Sequence, residues 1–214
     1  MTRFAELVTA AGRRFARVTT EVVVRRPALW RMFRPLMRRQ FNRLATRWDS
    51  MRDPDHLGSF ERALAAVAET PRRALDLGTG TGAGAFAIAR RWPQVEVVGV
   101  DMAPEMLAEA RRKTPPDLSD RVRFEEADAA RLPFASESFD VVGLANMIPF
   151  FDELARVVAP GGSVVFGFSG GSETPIYVDT RRLQSELGRR GFSEFAEFAA
   201  GRGTALLARK RGRH

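Results

Sequence analysis

The chain has 214 residues, no cysteine, two histidines and a net charge of +8. The missing thiols exclude disulfides, a cysteine nucleophile and cysteine-ligated metal, and His56 and His214 alone do not build a histidine metal site. An apolar fraction of 44% suffices for a core. With no run of about 18 apolar residues and no secretory signal, the expected location is cytoplasmic, at most peripheral at the inner face of the membrane.

The charge is unevenly placed. Residues 1–47 carry twelve arginines against Glu6 and Glu21, a net of +10, so the remainder sums to about −2. Such asymmetry points to an anionic partner: a membrane surface, nucleic acid or an acidic substrate. Two helices are predicted here, at about 3–20 and 28–47. In the second, Leu29, Trp30, Met32, Phe33, Leu36, Met37, Phe41 and Leu44 fill roughly half the circumference, with most arginines opposite. Pro35 is expected to kink or interrupt it. The apolar face can pack on the domain or on a second subunit, as in a homodimer. Alternatively, Trp30, Phe33, Met37 and Phe41 beside Arg31, Arg34 and Arg38 fit a helix lying on an anionic bilayer. A third helix, Gly58–Glu69, leads into the first strand. Residues 1–70 therefore read as a basic helical extension or cap, and residues 71–214 as the main domain.

From Arg72 strands and helices alternate. Strands are predicted at Ala74–Leu77, Val95–Val100, Val122–Glu125, Phe139–Leu144 and Ser163–Phe168, with a closing pair at Phe192–Phe198 and Thr204–Ala208. Helices are predicted at Ala83–Trp92, Pro104–Lys113, Phe151–Val158 and Thr180–Gly188. Pro93 ends the first of these, and Pro160-Gly161-Gly162 turns the chain into the fifth strand. The fold class is α/β: a Rossmann-like, doubly wound, seven-stranded sheet, mostly parallel with the last strand antiparallel, plus the N-terminal helical extension. Its ligand belongs at the carboxyl ends of the strands.

Four pieces fall at those ends. The first is Asp76-Leu-Gly78-Thr79-Gly80-Thr-Gly82, a strand running into a glycine ladder and a helix. Glycines let the backbone approach a ligand closely, and the helix N-terminus presents free N–H groups. A carboxylate two residues before the first glycine would repel a phosphate, so Asp76 points to a ligand with a positive group, as in S-adenosylmethionine. The second piece is Asp101-Met102 after strand two, where a carboxylate accepts both ribose hydroxyls and Met102 lies against adenine. Third, Asp128 can accept from the adenine amino group while the Ala129 N–H serves a ring nitrogen. Fourth, Asn146 after strand four would stand beside the sulfonium and the acceptor. Taken singly, each has a bland reading: Asp76 as a turn cap, Asp101 and Asn146 as helix caps, Asp128 as a loop carboxylate.

The ordered motifs Asp76-Leu-Gly-Thr-Gly-Thr-Gly82, Gly99-Val-Asp-Met-Ala-Pro-Glu-Met-Leu107, Asp128-Ala-Ala-Arg-Leu-Pro-Phe134, Ser138-Phe-Asp-Val-Val142 and Arg156-Val-Val-Ala-Pro-Gly-Gly162 resemble those of class I S-adenosylmethionine-dependent methyltransferases. The subgroup resembled is that of quinone-biosynthesis and related small-molecule enzymes, and the match covers about residues 72–208. Upstream, Phe41-Asn-Arg-Leu-Ala-Thr-Arg-Trp48-Asp49 resembles the lead-in helix that covers the cofactor in that subgroup. Two departures stand out. The piece between strand four and Pro160 is short, with Ile148-Pro149-Phe150 where a histidine is usual. No large insertion follows strand five, so a cap over the acceptor must come mainly from residues 1–70, a partner or a membrane.

The resemblance implies in-line methyl transfer from S-adenosyl-L-methionine to a small or lipid-like acceptor such as a quinol or phenol, leaving S-adenosylhomocysteine. Alignment and exclusion of water are the main catalytic devices. Catalytic candidates are His56 and Asn146; Asp49 and Tyr177 are the other groups a base could come from, and no metal is called for. Two other functions are weighed. A nucleic-acid methyltransferase would use the basic arm on phosphates, but Ala145-Asn-Met-Ile-Pro149 is not a base-methylation motif. An NAD-dependent oxidoreductase is opposed by Asp76, Asp128 and the lack of a Tyr-x-x-x-Lys pair.

Overall fold

The computed structural model describes residues 3–212, so His214 lies outside the described residues. Five parallel strands, β1 (Arg73–Leu77), β2 (Glu96–Asp101), β3 (Val122–Glu126), β4 (Phe139–Ala145) and β5 (Val158–Phe168), join β6 (Phe192–Ala200) and β7 (Gly203–Lys210) in one sheet. The order is β3-β2-β1-β4-β5-β7-β6, with β7 antiparallel to both of its neighbours. Strand order reverses between β1 and β4, and a ligand crevice opens there.

The sheet is covered on both faces, which is why its strands read as continuous apolar runs. On one face Leu75, Leu77, Val98, Val100, Val142, Leu144 and Phe166 pack with residues of α1 (Arg3–Arg25), α2 (Trp30–Leu44), α6 (Phe151–Val157) and α7 (Thr180–Gly188). On the other, Ala74, Val97, Val141 and Val165 pack with α3 (Gly58–Ala65), α4 (Ala83–Arg91) and α5 (Pro104–Lys113). The α3 helix, grouped by sequence with the cap, is part of the second layer: Phe60, Ala63 and Leu64 are fully buried. Phe60 packs so closely on the strands that a Cβ on Gly143 would stand 2.7 Å from its ring, and one on Gly167 would stand 2.9 Å from the Phe60 Cβ.

Element limits differ from expectation where packing decides them. The first helix continues past residue 20 to Arg25, because Val23 and Val24 are buried against the sheet and outweigh their modest helix propensity. Pro35 does not interrupt α2, which runs unbroken from Trp30 to Leu44. The proline removes one N–H and frees the Arg31 carbonyl, but both residues are exposed and water can serve that carbonyl. The helix at Gly58 stops at Ala65 rather than Glu69. Pro160-Gly161-Gly162 lies within β5, absorbed as an irregularity in its pairing with β4.

The apolar face of α2 packs on the domain. Trp30 and Met37 are buried, and Phe33 and Phe41 pack half-buried on the core. Those four side chains turn inward, so the bilayer contact considered for them is not made by that face. Two members of the same expected stripe, Met32 and Leu36, turn outward instead.

Candidate functional site

At the carboxyl ends of β1, β2 and β4 a cleft is framed by Gly78, Gly80, Asp101, Met102 and Asn146. Its roof comes from α2 and the segment after it, through Trp30, Met37, Phe41, Trp48 and Arg52.

The β1–α4 turn makes the floor. Its glycines Gly78, Gly80 and Gly82 all have left-handed backbones, and Gly82 is the N-cap of α4. The N–H groups of Gly78 and Thr79 both donate to the Val100 carbonyl at 2.9 Å, tying the turn to β2. Asp101 completes the tie: one carboxylate oxygen accepts from Gly80 N and the other from Ala103 N, each at 2.9 Å. Burial pushes the Asp101 carboxyl above the ordinary range, while those N–H groups pull it back. Each oxygen keeps a lone pair that a hydroxyl can reach.

Asp76 takes the bland reading rather than the ligand-facing one. It is 1% exposed and does not line the cleft. Thr79 Oγ1 donates to it at 2.6 Å, and the Ala85 N–H donates as well. It braces the turn from beneath, against α4. Complete burial raises its carboxyl to about 6 despite those hydrogen bonds. This has a definite sign in the stability. Between about pH 4 and pH 6 the unfolded chain sheds the proton while the folded chain keeps it, so stability falls as pH rises through that window. The full effect, on the order of 3 kcal/mol, is present above the folded pKa. In Asp76→Asn that decline is absent, and urea unfolding should show the variant gaining about this much on the wild type from pH 4 to pH 7. Parallel curves would exclude Asp76 as the source.

Asp128 is also held elsewhere. Its carboxylate accepts from Trp30 Nε1 at 2.8 Å, from Arg34 at 2.8 Å and from the Ala130 N–H at 3.0 Å. It lies outside the cleft lining and acts as the latch on which α2 closes, while Ala127 and Ala129 on either side of it line the cleft. Arg38 adds a second latch on Glu126 at 2.7 Å.

Asn146 faces the cleft from a left-handed backbone, φ 54°. Its Oδ1 accepts from Ser169 N at 3.0 Å and Ser169 Oγ at 3.3 Å, which leaves the amide NH2 as the free end. His56 does not reach the cleft lining. Its Nδ1 meets the Asp53 carbonyl at 2.8 Å and its Nε2 meets Arg52 at 3.2 Å. Burial and the Arg52 charge lower its pKa, so the ring is neutral, with Nε2 accepting from Arg52. That bond occupies the lone pair a general base would need, so His56 positions Arg52. Asp49 is likewise engaged, accepting from Thr81 Oγ1 at 2.6 Å and from Lys113 Nζ at 2.7 Å. Tyr177 stacks edge-on against Phe168 with ring centroids 5.1 Å apart.

Trp48 and Arg52 were missed as site residues by sequence reasoning. The Trp48 Nε1 is buried with no hydrogen-bond partner, and a Cβ on Gly80 would lie 3.6 Å from it. The Arg52 guanidinium stacks 4.9 Å from the Trp48 ring. The only hint was the segment ending in Trp48-Asp49, and its likeness to a lead-in helix did not single out a donor.

Residues 74–162 match the family described as a methyltransferase domain. The chain is 42% identical over 138 residues to a demethylmenaquinone methyltransferase of Deinococcus radiodurans, covering 58% of this chain and 56% of that protein. It is 46% identical over 107 residues to a demethylmenaquinone methyltransferase of Thermus thermophilus, covering 47% and 48%. The chain thus spans about half the length of these curated relatives. A SAM-dependent methyltransferase structure from Aquifex aeolicus superposes with a TM-score of 0.61 at 17% identity, covering 78% of this chain and 98% of that one, a likeness of fold.

Proposed function

We propose that this chain is a class I S-adenosylmethionine-dependent methyltransferase that transfers the cofactor's methyl group to a small, apolar, electron-rich acceptor of the quinol or phenol class. One observation carries the reading. Gly80 sits between a half-buried carboxylate, Asp101, bonded to its N–H, and a buried unpartnered donor, Trp48 Nε1, stacked under the Arg52 cation. A ligand bridging these needs a diol at one end and an anion at the other. S-adenosylmethionine has both, in its ribose and its methionine carboxylate, and the bare glycines leave room for it to cross the turn.

Asp101 would hold the ribose, Arg52 and Trp48 the carboxylate, with Met102, Met106, Ala127 and Ala129 flanking the base. The bound cofactor supplies a methyl carbon activated by sulfonium. The chain supplies alignment and a dry site, since Trp30, Met37 and Phe41 close the cleft from above. On the acceptor side stand Asn146, Met147, Ile148 and Ile176. Among the described residues lining the cleft, the ionisable side chains are Arg52 and Asp101, both assigned to the cofactor. The acceptor therefore brings its own nucleophile, a phenolate oxygen or an electron-rich ring carbon, and Asn146 orients it. The names of the relatives, demethylmenaquinone methyltransferases, favour the quinol.

Calorimetric titration with S-adenosylmethionine and S-adenosylhomocysteine, with NAD as control, tests the cofactor, and a screen of quinols and phenols tests the acceptor. Micromolar binding of the first two alone is expected. Arg52→Ala should weaken S-adenosylhomocysteine binding about tenfold to a hundredfold, the cost of removing a charged partner. Binding of methylthioadenosine, which lacks the carboxylate, should stay unchanged. Equal losses for both ligands would show that Arg52 supports the roof rather than the carboxylate.

A further inference from the structure

The α1 and α2 helices form an antiparallel pair: the Phe15 and Phe33 rings are 6.2 Å apart, and a Cβ on Gly12 would lie 3.6 Å from Gln40. From this seam the buried residues of both helices lie to one side: Thr19, Val23 and Val24 on α1, and Trp30 and Met37 on α2. The residues on the other side follow from helical spacing. On α1, Arg14, Val18, Glu21 and Arg25 fall at i, i+4, i+7 and i+11, and all four are exposed. On α2, Met32, Leu36, Arg39 and Arg43 fall at the same spacing, and all four are exposed. Both stripes sit at the same angle from the seam, so an antiparallel pair presents them on one common outer face.

This face has two unusual properties. It exposes three large apolar side chains, Met32 at 69%, Leu36 at 53% and Val18 at 49%, out of four large hydrophobics so exposed among the described residues. It also carries cations the fold leaves unused. The inward Arg34 and Arg38 bond Asp128 and Glu126, and Arg13 and Arg17 cap backbone carbonyls near Ser172 and Glu173. Among the described residues Arg14, Arg25, Arg39 and Arg43 make no hydrogen bond or ion pair, and Glu21 is the single acid in the two stripes.

We infer that this outer face of the α1–α2 pair docks the protein on an anionic phospholipid surface. Charge complementarity supplies the attraction, and Val18, Met32 and Leu36, interspersed among the arginines, settle at the boundary between headgroups and acyl chains. A nucleic-acid backbone would use the arginines but gain nothing from the apolar side chains, and the aromatic rings able to stack on bases, Trp30, Phe33 and Phe41, point the other way. The opposite side of α2 roofs the cleft, so docking holds the roof between bilayer and cofactor. For a lipophilic acceptor it also brings the cleft to the phase where the acceptor dissolves. That last consequence rests on the proposed function; the docking itself does not.

The test is flotation of the full chain with vesicles of phosphatidylcholine alone and of phosphatidylcholine mixed with phosphatidylglycerol, alongside retention on single-stranded RNA. Wild type should float with the mixed vesicles only, less so as salt rises. Arg39→Gln with Arg43→Gln should weaken partitioning about 25-fold, roughly fivefold per arginine. Met32→Ser with Leu36→Ser should weaken it about tenfold with the charge intact. All variants should bind S-adenosylhomocysteine as wild type does, which separates this result from the fate of the methyltransferase reading. Failure of wild type to float, flotation indifferent to both double variants, or retention on RNA that ignores Met32 and Leu36 would each overturn the inference.

Discussion

Replacing Asp101 by alanine should lower the affinity for S-adenosylhomocysteine about tenfold to a hundredfold. A hydrogen bond to a charged group contributes roughly 1.5–3 kcal/mol, and that range converts to this loss. Two effects coincide. The ribose loses its acceptor, and the Gly80 N–H, held at 2.9 Å by the carboxylate, loses the bond that fixes the turn beneath the ligand. Asp101→Asn should not restore binding. Both carboxylate oxygens accept from backbone N–H groups, Gly80 on one side and Ala103 on the other, so the amide must turn its NH2 against one of them. Calorimetry on Asp101→Ala and Asp101→Asn, with urea unfolding as the control for stability, checks this. Unchanged affinity in the alanine variant would remove Asp101 from the site.

Sequence reading gave three acidic residues, each just beyond or near the end of a strand beside small residues, a ligand-facing role. The structure separates them for physical reasons of different kinds. For Asp76 the reason was available from alternation along β1. Leu75 and Leu77 share one face and Leu77 lines the cleft, so Asp76 must face the other way, toward α4. Asp101 ends β2 next to the turn and can serve both turn and ligand. Asp128 is claimed by Trp30 and Arg34, far away in sequence, and no local pattern encodes a pairing of that kind. The positions of the strands and the glycine ladder were legible because they follow from local periodicity and from the alternation of elements. The roof was legible only as a basic amphipathic helix. Which of its residues turn inward depends on packing against the sheet, and the donors at Trp48 and Arg52 lie in a short irregular segment with no periodicity to reveal them.

The two glycines at the cleft floor should respond differently to the same added methyl group. Gly78 has φ 74°, and a Cβ there would stand 2.6 Å from Met147 Sδ, 2.8 Å from its Cγ and 3.2 Å from its Cβ. Moving the sulfur alone does not relieve contact with the Met147 Cβ, which is fixed to the chain after β4. Gly78→Ala therefore incurs the left-handed backbone cost of about 1–2 kcal/mol and an overpacking cost of about 1–3 kcal/mol. At about 2–4 °C per kcal/mol for a chain of this size, Tm should fall by roughly 4–20 °C. Gly80 has φ 54°, and a Cβ there meets only Trp48 Nε1, at 3.6 Å. Gly80→Ala incurs the backbone cost alone, and Tm should fall by only about 2–8 °C. Its added methyl group, however, points at the donor assigned to the methionine carboxylate. S-adenosylhomocysteine should bind Gly80→Ala about tenfold more weakly or worse, while the fold is nearly kept. Thermal unfolding with and without ligand reads both quantities in one experiment. Ligand should raise the Tm of Gly80→Ala by clearly less than that of wild type at the same concentration, because stabilisation by a ligand grows with the logarithm of its concentration relative to Kd. If Gly80→Ala binds as tightly as wild type, the cofactor does not cross the turn at Trp48, and the carboxylate must be sought elsewhere in the cleft.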